Sequence, residues 1–291
     1  KKLIENKNIK RGVIMRILPT FIFALQYGLS RFLAGTYNVY MIVMIRYWFL
    51  FIFVILLALN SDGGLTQRRY TKFPVIQVIR GLLLAFEIVI SVKAFVLIGL
   101  INSSTIFSSY PLIATLLSIP ILKEIIGWRR FAAIFCGFLG VLLILQPGIS
   151  VFSTYMLLPI CSAITFAIYG ILTRYVSRED DPETSFFWTG IVGAITMTLI
   201  GLWYWQTPSL SDWPWLILLC IFSTLGHFLL IKSYDFAAVS IVQPFAYFHL
   251  VFISLVGILI FDERLSLNIL VGSLIVICAG IFTLKRQNFV Q

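Results

Sequence analysis

Charge is what this chain has least of. Only 12% of its 291 residues are Asp, Glu, Lys or Arg, against 60% that are hydrophobic. A soluble protein of that length needs a charged surface, and these residues cannot supply one. Histidine occurs twice and cysteine four times (Cys136, Cys161, Cys220, Cys278), every cysteine inside an apolar run and none at metal-ligand spacing. They read as small buried residues, not as disulfides or a zinc centre. No Walker-type phosphate loop occurs, which argues against ATP hydrolysis. A nucleophile with its base, or a metal cluster, is also missing, so an intramembrane enzyme has no candidate residues; no catalytic residue, metal or cofactor is expected. The formal net charge of +10 sits in short segments beside apolar runs, without a basic motif carrying interleaved aromatics. Nucleic acid is therefore not an expected partner.

Long apolar runs are what the chain has in place of charge. They predict spans at about 12–34, 38–59, 74–99, 102–122, 127–146, 154–176, 185–206, 213–234, 238–260 and 266–284. Clusters of polar residues, Gly and Pro separate them, among them Gln146-Pro147-Gly148, Thr207-Pro208 and Phe261-Asp262-Glu263-Arg264. A hydrocarbon solvent offers backbone amides no partners, and the spans lack the alternation of a barrel, so all ten are expected to be helices. The first run leads directly into the multi-span pattern, and no cleavable signal peptide is read from it. With the N-terminus inside, eighteen of the twenty-two Lys and Arg fall on the inner side, leaving Arg31, Arg46, Lys93 and Arg264 toward the outside. Both termini are then cytoplasmic.

The chain repeats itself. Lys93-Ala94-Phe95 and Glu124 match Lys232-Ser233-Tyr234 and Glu263 at an offset of 139 residues, and the stretch from Phe23 to Arg31 echoes that from Phe166 to Arg174 at 143. Five spans per half is an odd number, so the halves (1–148 and 149–291) enter the membrane with opposite orientation. Two inverted halves provide two nearly isoenergetic arrangements, one open to each side, which is the basis of alternating access. Gly137, Gly140, Gly272 and Gly280 thin the fifth and tenth spans for packing or dimerisation, so a monomer or homodimer is expected.

The run from Leu225 through His227 to Tyr234, then Pro244, Tyr247 and Asp262-Glu263-Arg264, resembles the second EamA repeat of the drug/metabolite transporter superfamily. Arg46, Arg80-Gly81, Pro111 and Lys123-Glu124, followed by Gly127-Trp128-Arg129-Arg130, resemble the first. This resemblance implies an all-α membrane protein of ten transmembrane helices in two inverted five-helix EamA repeats. It also implies a central cavity lined by the first four helices of each half, and a bacterial inner membrane. It does not identify the cargo, which in this family ranges over amino acids, nucleotide-linked metabolites, flavins, S-adenosylmethionine and carboxylates.

Glu87 stands near the middle of the third span, where an ionisable group is costly unless paired, hydrated or protonated. It is a candidate proton site or counter-charge; the alternative is a static bridge to Arg80, seven residues earlier on the same face. Arg46 lies too deep for easy snorkelling, and its guanidinium is suited to clasp a carboxylate or to cap a broken helix. Lys93 and Lys232 occupy equivalent positions near opposite faces, either as gates for anionic groups or as snorkelling cations, with Asp235 a local partner for Lys232. His227 and His249 are able to titrate near neutral pH or to hydrogen-bond between helices. The fourth span (Ser103, Ser104, Ser108, Ser109, Tyr110) and the ninth (Gln243, Tyr247) read as polar cavity walls, with Pro111 and Pro244 as points of bending. Tyr27, Tyr110, Tyr169, Tyr247 and Trp188 are placed to stack on a planar cargo, and Glu124 and Glu263 to fasten helix ends. The expected function is secondary transport of a small organic solute through the lipid bilayer, coupled to protons or by exchange. Uptake of S-adenosylmethionine or riboflavin is the sharper reading, amino-acid export the alternative, and a channel the reading from another class.

Overall fold

The computed structural model describes residues 2–60, 64–124, 127–145 and 154–261, with isolated positions beyond. Among them the architecture is helical and no strand occurs. The first helix, α1 (Lys2–Ala34), runs into a turn at Gly35. Asn38 then caps α2 (Val39–Leu59), its side chain accepting from the Tyr40 amide at 3.0 Å. A short α3 (Gly64–Arg69) follows in the connection. Proline at the first helical position opens α4 (Pro74–Ile98), where its missing N–H is no loss, and Gly99 closes it at φ +87°, a conformation that favours glycine.

The predicted span 102–122 is not one helix. It is α5 (Leu100–Phe107) and α6 (Tyr110–Leu122), separated by a turn at Ser108-Ser109. Pro111 lies at the start of α6 and does not bend a continuous helix: without an N–H it cannot bond back into α5, so the new helix begins there. Next come α7 (Trp128–Leu145), α8 (Leu157–Val176), α9 (Pro182–Gly201) and α10 (Trp213–Phe236). The predicted span 238–260 is also broken, into α11 (Val239–Val242), a 3-10 segment Gln243–Tyr247 that contains Pro244, and α12 (Phe248–Phe261). The tenth predicted span lies outside the described residues except at isolated positions, as do Glu263, Arg264, Gly272 and Gly280.

Among the described residues, six helices are long and apolar enough to cross a bilayer: Arg11–Ala34 within α1, α2, α4, Thr154–Val176, Pro182–Tyr204 and α10. Each leaves close to half of its apolar window uncovered. Ile52, Leu56 and Leu59 of α2 and Ile195 and Leu199 of α9 all point outward, a distribution that water would not tolerate and lipid requires. Trp203 is 86% exposed beside Trp205, and Trp205 stacks on Trp48 at 6.0 Å, as interfacial aromatics do. The molecule is an integral membrane protein. Inside it, α1 packs on α10 and α12, α8 on α4 and α6, and α2 on α9. Where α2 meets α9, a Cβ on Gly193 would stand 1.9 Å from Tyr47 Cε1, so only glycine lets the helices approach this closely.

Candidate functional site

Three small cavities run one into the next through shared walls, two of them among α1, α2, α4, α8 and α10 and one among α1, α5, α6, α8 and α12. The first is lined by Arg46, Glu87, Ser91, Gln26 and His227 between the rings of Phe23, Tyr27, Phe95 and Phe166. A second adjoins it through Phe23, Tyr27 and Phe166 and adds Arg16, Thr20, Phe107, Tyr110 and His249. The third runs from Arg46 and His227 to Tyr47 and Ser223. Their volumes of ≈ 10, ≈ 20 and ≈ 10 Å³ give room for about one water molecule apiece. None of the three holds an organic solute as it stands, so the surrounding helices must part to admit one.

Glu87, at the midpoint of α4, is 2% exposed. Its Oε1 accepts from Ser91 Oγ at 2.6 Å and from Ser162 Oγ of α8 at 2.7 Å, and the two serine oxygens are themselves 2.6 Å apart. Arg80 is not its partner. The Arg80 side chain turns to Thr173 (Nε to Oγ1, 3.0 Å) and to Gln77 Oε1, and lies over the Tyr169 ring at 5.2 Å. Arg46, equally buried, donates from Nε and from its terminal nitrogen to Ser223 Oγ at 3.2 and 2.8 Å, and its other terminal nitrogen has no partner. His227 holds the Ser223 carbonyl at 2.8 Å through Nδ1 and meets Phe23 edge-on. One cavity thus presents a carboxylate, a guanidinium with an unused donor and an imidazole, walled by aromatic rings. That set complements an organic solute carrying both charge and an apolar ring.

The other predicted residues separate. Tyr110 lines the second cavity, and Gln243 meets it through Arg16, whose terminal nitrogen donates to Tyr110 Oη at 2.7 Å and to Gln243 Oε1 at 3.1 Å. Tyr247 packs toward α7, since a Cβ on Gly137 would fall 2.5 Å from its ring. Trp188 donates to the Arg69 carbonyl at 3.3 Å and lines a separate, open surface pocket with Arg69 and Pro74, away from these three cavities. Lys93 and Lys232 stand at opposite ends. Lys93 Nζ donates to Tyr40 Oη at 2.5 Å; Lys232 Nζ pairs with Glu183 Oε1 at 3.2 Å and lies 4.7 Å from the Phe228 ring. The predicted local pair with Asp235 gives way to this one, because packing of α9 on α10 delivers Glu183. Glu124 does fasten a helix end, accepting from the Val239 amide at the start of α11 at 3.0 Å. Arg174 caps the other side of that corner, donating to the carbonyls of Tyr234 and Asp235. Arg16 itself was counted from the sequence as a flanking inner charge; its position between Val13-Ile14-Met15 and Ile17-Leu18 was the signal that it is intramembrane.

Charged side chains between aromatic rings, buried among the helices of a membrane protein, are what a membrane transport protein needs to hold a solute. The model of the EamA-like transporter family matches the chain twice, over residues 10–146 and 153–285, and the chain belongs to that family. Named relatives point the same way. An S-adenosylmethionine uptake transporter of Rickettsia prowazekii is 25% identical over 97% of this chain and 95% of its own length. Its counterpart in Rickettsia bellii is 28% identical over 75% of each. A riboflavin transporter of Vibrio cholerae is 29% identical over 61% of this chain and 60% of that one. A crystal structure 16% identical in sequence superposes with a TM-score of 0.77 over 98% of this chain and 99% of that chain, a likeness of fold. The protein is a transporter of a small metabolite.

Proposed function

We propose that the protein takes up a charged organic metabolite by alternating access, with S-adenosylmethionine the first cargo to test and riboflavin the second. The observation that carries this reading is the chamber: Glu87, Arg46 and His227 face one space between aromatic rings, at a depth where charge is retained only for use. Both relatives named above for S-adenosylmethionine are uptake transporters, and that cargo combines a carboxylate, cationic groups and a flat ring.

The machine we infer has ten helices in two inverted repeats, residues 1–148 and 149–291. Three observations support it. The family model matches two tandem stretches. The packing is mirrored, α1 on α10 and α12 answering α8 on α4 and α6. The fourth and ninth spans are both broken, at α5–α6 and at the 3-10 segment before α12, as expected of helices that line a transport site. The bias of Lys and Arg supports cytoplasmic termini, and the bacterial relatives support an inner-membrane location.

The test is uptake by purified protein in proteoliposomes, with S-adenosylmethionine, riboflavin and an amino-acid panel. Saturable S-adenosylmethionine uptake, accelerated by the unlabelled compound inside, is expected. Linear flux without such acceleration would make the protein a channel, and saturable flux of amino acids alone would move it to the exporters.

A further inference from the structure

We infer that Arg16 is a second anion site in the transport chamber, made to take the carboxylate of the cargo where the fourth and ninth spans break. The inference rests on the carrier reading above and narrows it to carboxylate-bearing solutes.

Arg16 is 2% exposed, yet among the described residues no carboxylate lies within ion-pair distance of it. Its neighbours are neutral: Tyr110 Oη at 2.7 Å, Gln243 Oε1 at 3.1 Å, and the rings of Tyr110 and Tyr234, 5.8 and 5.4 Å from the guanidinium carbon. Its Nε has no partner. Lys232 at the helix ends has Glu183, and Arg46 shares its cavity with Glu87; Arg80, buried with neutral partners too, lines none of the three cavities, whereas Arg16 faces one. A buried guanidinium without a counter-charge is strongly unfavourable, and a neutral side chain would bridge Tyr110 and Gln243 without that cost. The missing charge is supplied if the cargo brings it.

Geometry agrees. Arg16 lines the cavity that joins the Glu87–Arg46 cavity across Phe23, Tyr27 and Phe166, so one cargo lying on those rings reaches both ends. Beside Arg16, His249 Nδ1 is 3.1 Å from the Thr20 carbonyl. A carbonyl only accepts, so in the neutral ring the proton is on Nδ1, and Nε2, which has no partner, is an acceptor. The corner therefore offers a planar donor fork for a carboxylate and an acceptor for a neighbouring N–H. A single guanidinium matches a singly charged carboxylate better than a dianionic phosphate. Arg16 also ties α6 (through Tyr110) to the 3-10 segment (through Gln243), so a carboxylate that takes over its donors releases both broken spans at once. A neutral flavin has no such group.

Two comparisons test this on wild type and Arg16→Gln. In proteoliposomes, S-adenosylmethionine is set against its decarboxylated analogue. The substitution is expected to raise KM for the first by about tenfold or more, the worth of a lost charge-assisted pair, and to change it several-fold less for the second. An equal rise for both, or riboflavin as the transported cargo in place of S-adenosylmethionine, overturns the inference. If wild type transports neither compound, the cargo reading has failed, and thermal stabilisation of the detergent-purified protein decides the anion site separately. Benzoate should then raise the melting temperature of wild type more than benzamide does, with the difference lost in Arg16→Gln; no difference in wild type overturns the site. Arg16→Lys carries the same comparisons should the glutamine variant not fold, because one ammonium cannot clasp both oxygens.

Discussion

Glu87 Oε1, Ser91 Oγ and Ser162 Oγ form a triangle with sides of 2.6, 2.7 and 2.6 Å, every side of hydrogen-bond length. Two hydroxyls carry two protons, enough for two sides; a third proton, on the carboxyl, closes the ring. The triangle is thus complete with a proton and one bond short without it, and on that ground we propose Glu87 as the proton-coupling site. Glu87→Gln should therefore abolish the acceleration of uptake by an imposed pH gradient while sparing exchange of internal for external cargo. Gradient-driven uptake at the wild-type rate in that variant would make the triangle a packing device only. Glu87, Arg46 and His227 were legible in the sequence because a polar group in the middle of an apolar run is conspicuous. Arg16 was not, since five residues past Arg11 it passes for a flanking charge. Partners across the fold were also hidden: Ser162 reaches Glu87 only through the packing of α4 on α8, and Glu183 reaches Lys232 from 49 residues away.

The helices themselves were largely legible, because Pro and Gly mark their ends: Pro74, Pro182 and Pro214 stand in first turns, and Gly99 closes α4. The broken spans were not, for a local reason. Ser108 Oγ donates to the Ser104 carbonyl at 2.6 Å and Ser109 Oγ to that of Ile106 at 2.8 Å, each beside the same serine's own amide (3.0 and 3.1 Å), so the hydroxyls reinforce the last turns before the break. Side chains that bond their own backbone let a helix stop in an apolar setting with no loop-like composition to announce it. The approach of α2 to α9 depends in turn on a single missing Cβ. Gly193→Ala would drive that carbon into Tyr47, and overpacking of this kind costs about 1–3 kcal/mol. The variant should melt several degrees lower in detergent, and Tyr47→Leu in the same chain should recover part of the loss. An unchanged melting temperature in Gly193→Ala would mean that the two helices separate freely, contrary to a rigid α2–α9 contact.

At the scale of the whole molecule, the two ends of the bundle are fastened by corresponding parts. At the end proposed as cytoplasmic, Asp180 accepts from Thr71 Oγ1, from the Lys72 amide at 3.1 Å and from Gln77 Nε2 at 2.9 Å, which ties the α8–α9 turn to the start of α4. At the opposite end, Asp212 before α10 accepts from Tyr37 Oη at 2.6 Å and from Ser209 Oγ at 2.7 Å, which ties the α1–α2 turn to the start of α10. Tyr37 and Asp180 are separated by 143 residues, the offset of the Arg31 and Arg174 echo, so under the proposed inverted repeat these are equivalent junctions, with the carboxylate on opposite partners. Both locks are made in this structure, and the cavities between them are only the size of a water molecule. Breaking one lock should bias the carrier toward that side. With a cysteine at Ile88 in the chamber wall and the native cysteines replaced, Asp212→Asn should speed labelling by an impermeant maleimide from the outer side, and Asp180→Asn should slow it. A shift in the same direction for both would refute two independent locks. The hydrogen bond from Tyr37, then that from Ser209, holds the Asp212 carboxyl below its ordinary range. A group depressed in this way contributes its stability above the ordinary carboxylate value and loses it only as pH falls through the lower folded value. This bond is therefore kept as pH falls through the ordinary carboxylate value, so in a Glu87→Gln background, which lacks the chamber's own proposed proton site, outer labelling should stay level from about pH 8 down to about pH 5, once corrected for the reagent's own pH dependence. The bias introduced by Asp212→Asn should persist undiminished over the same interval, because the bond it removes is intact throughout.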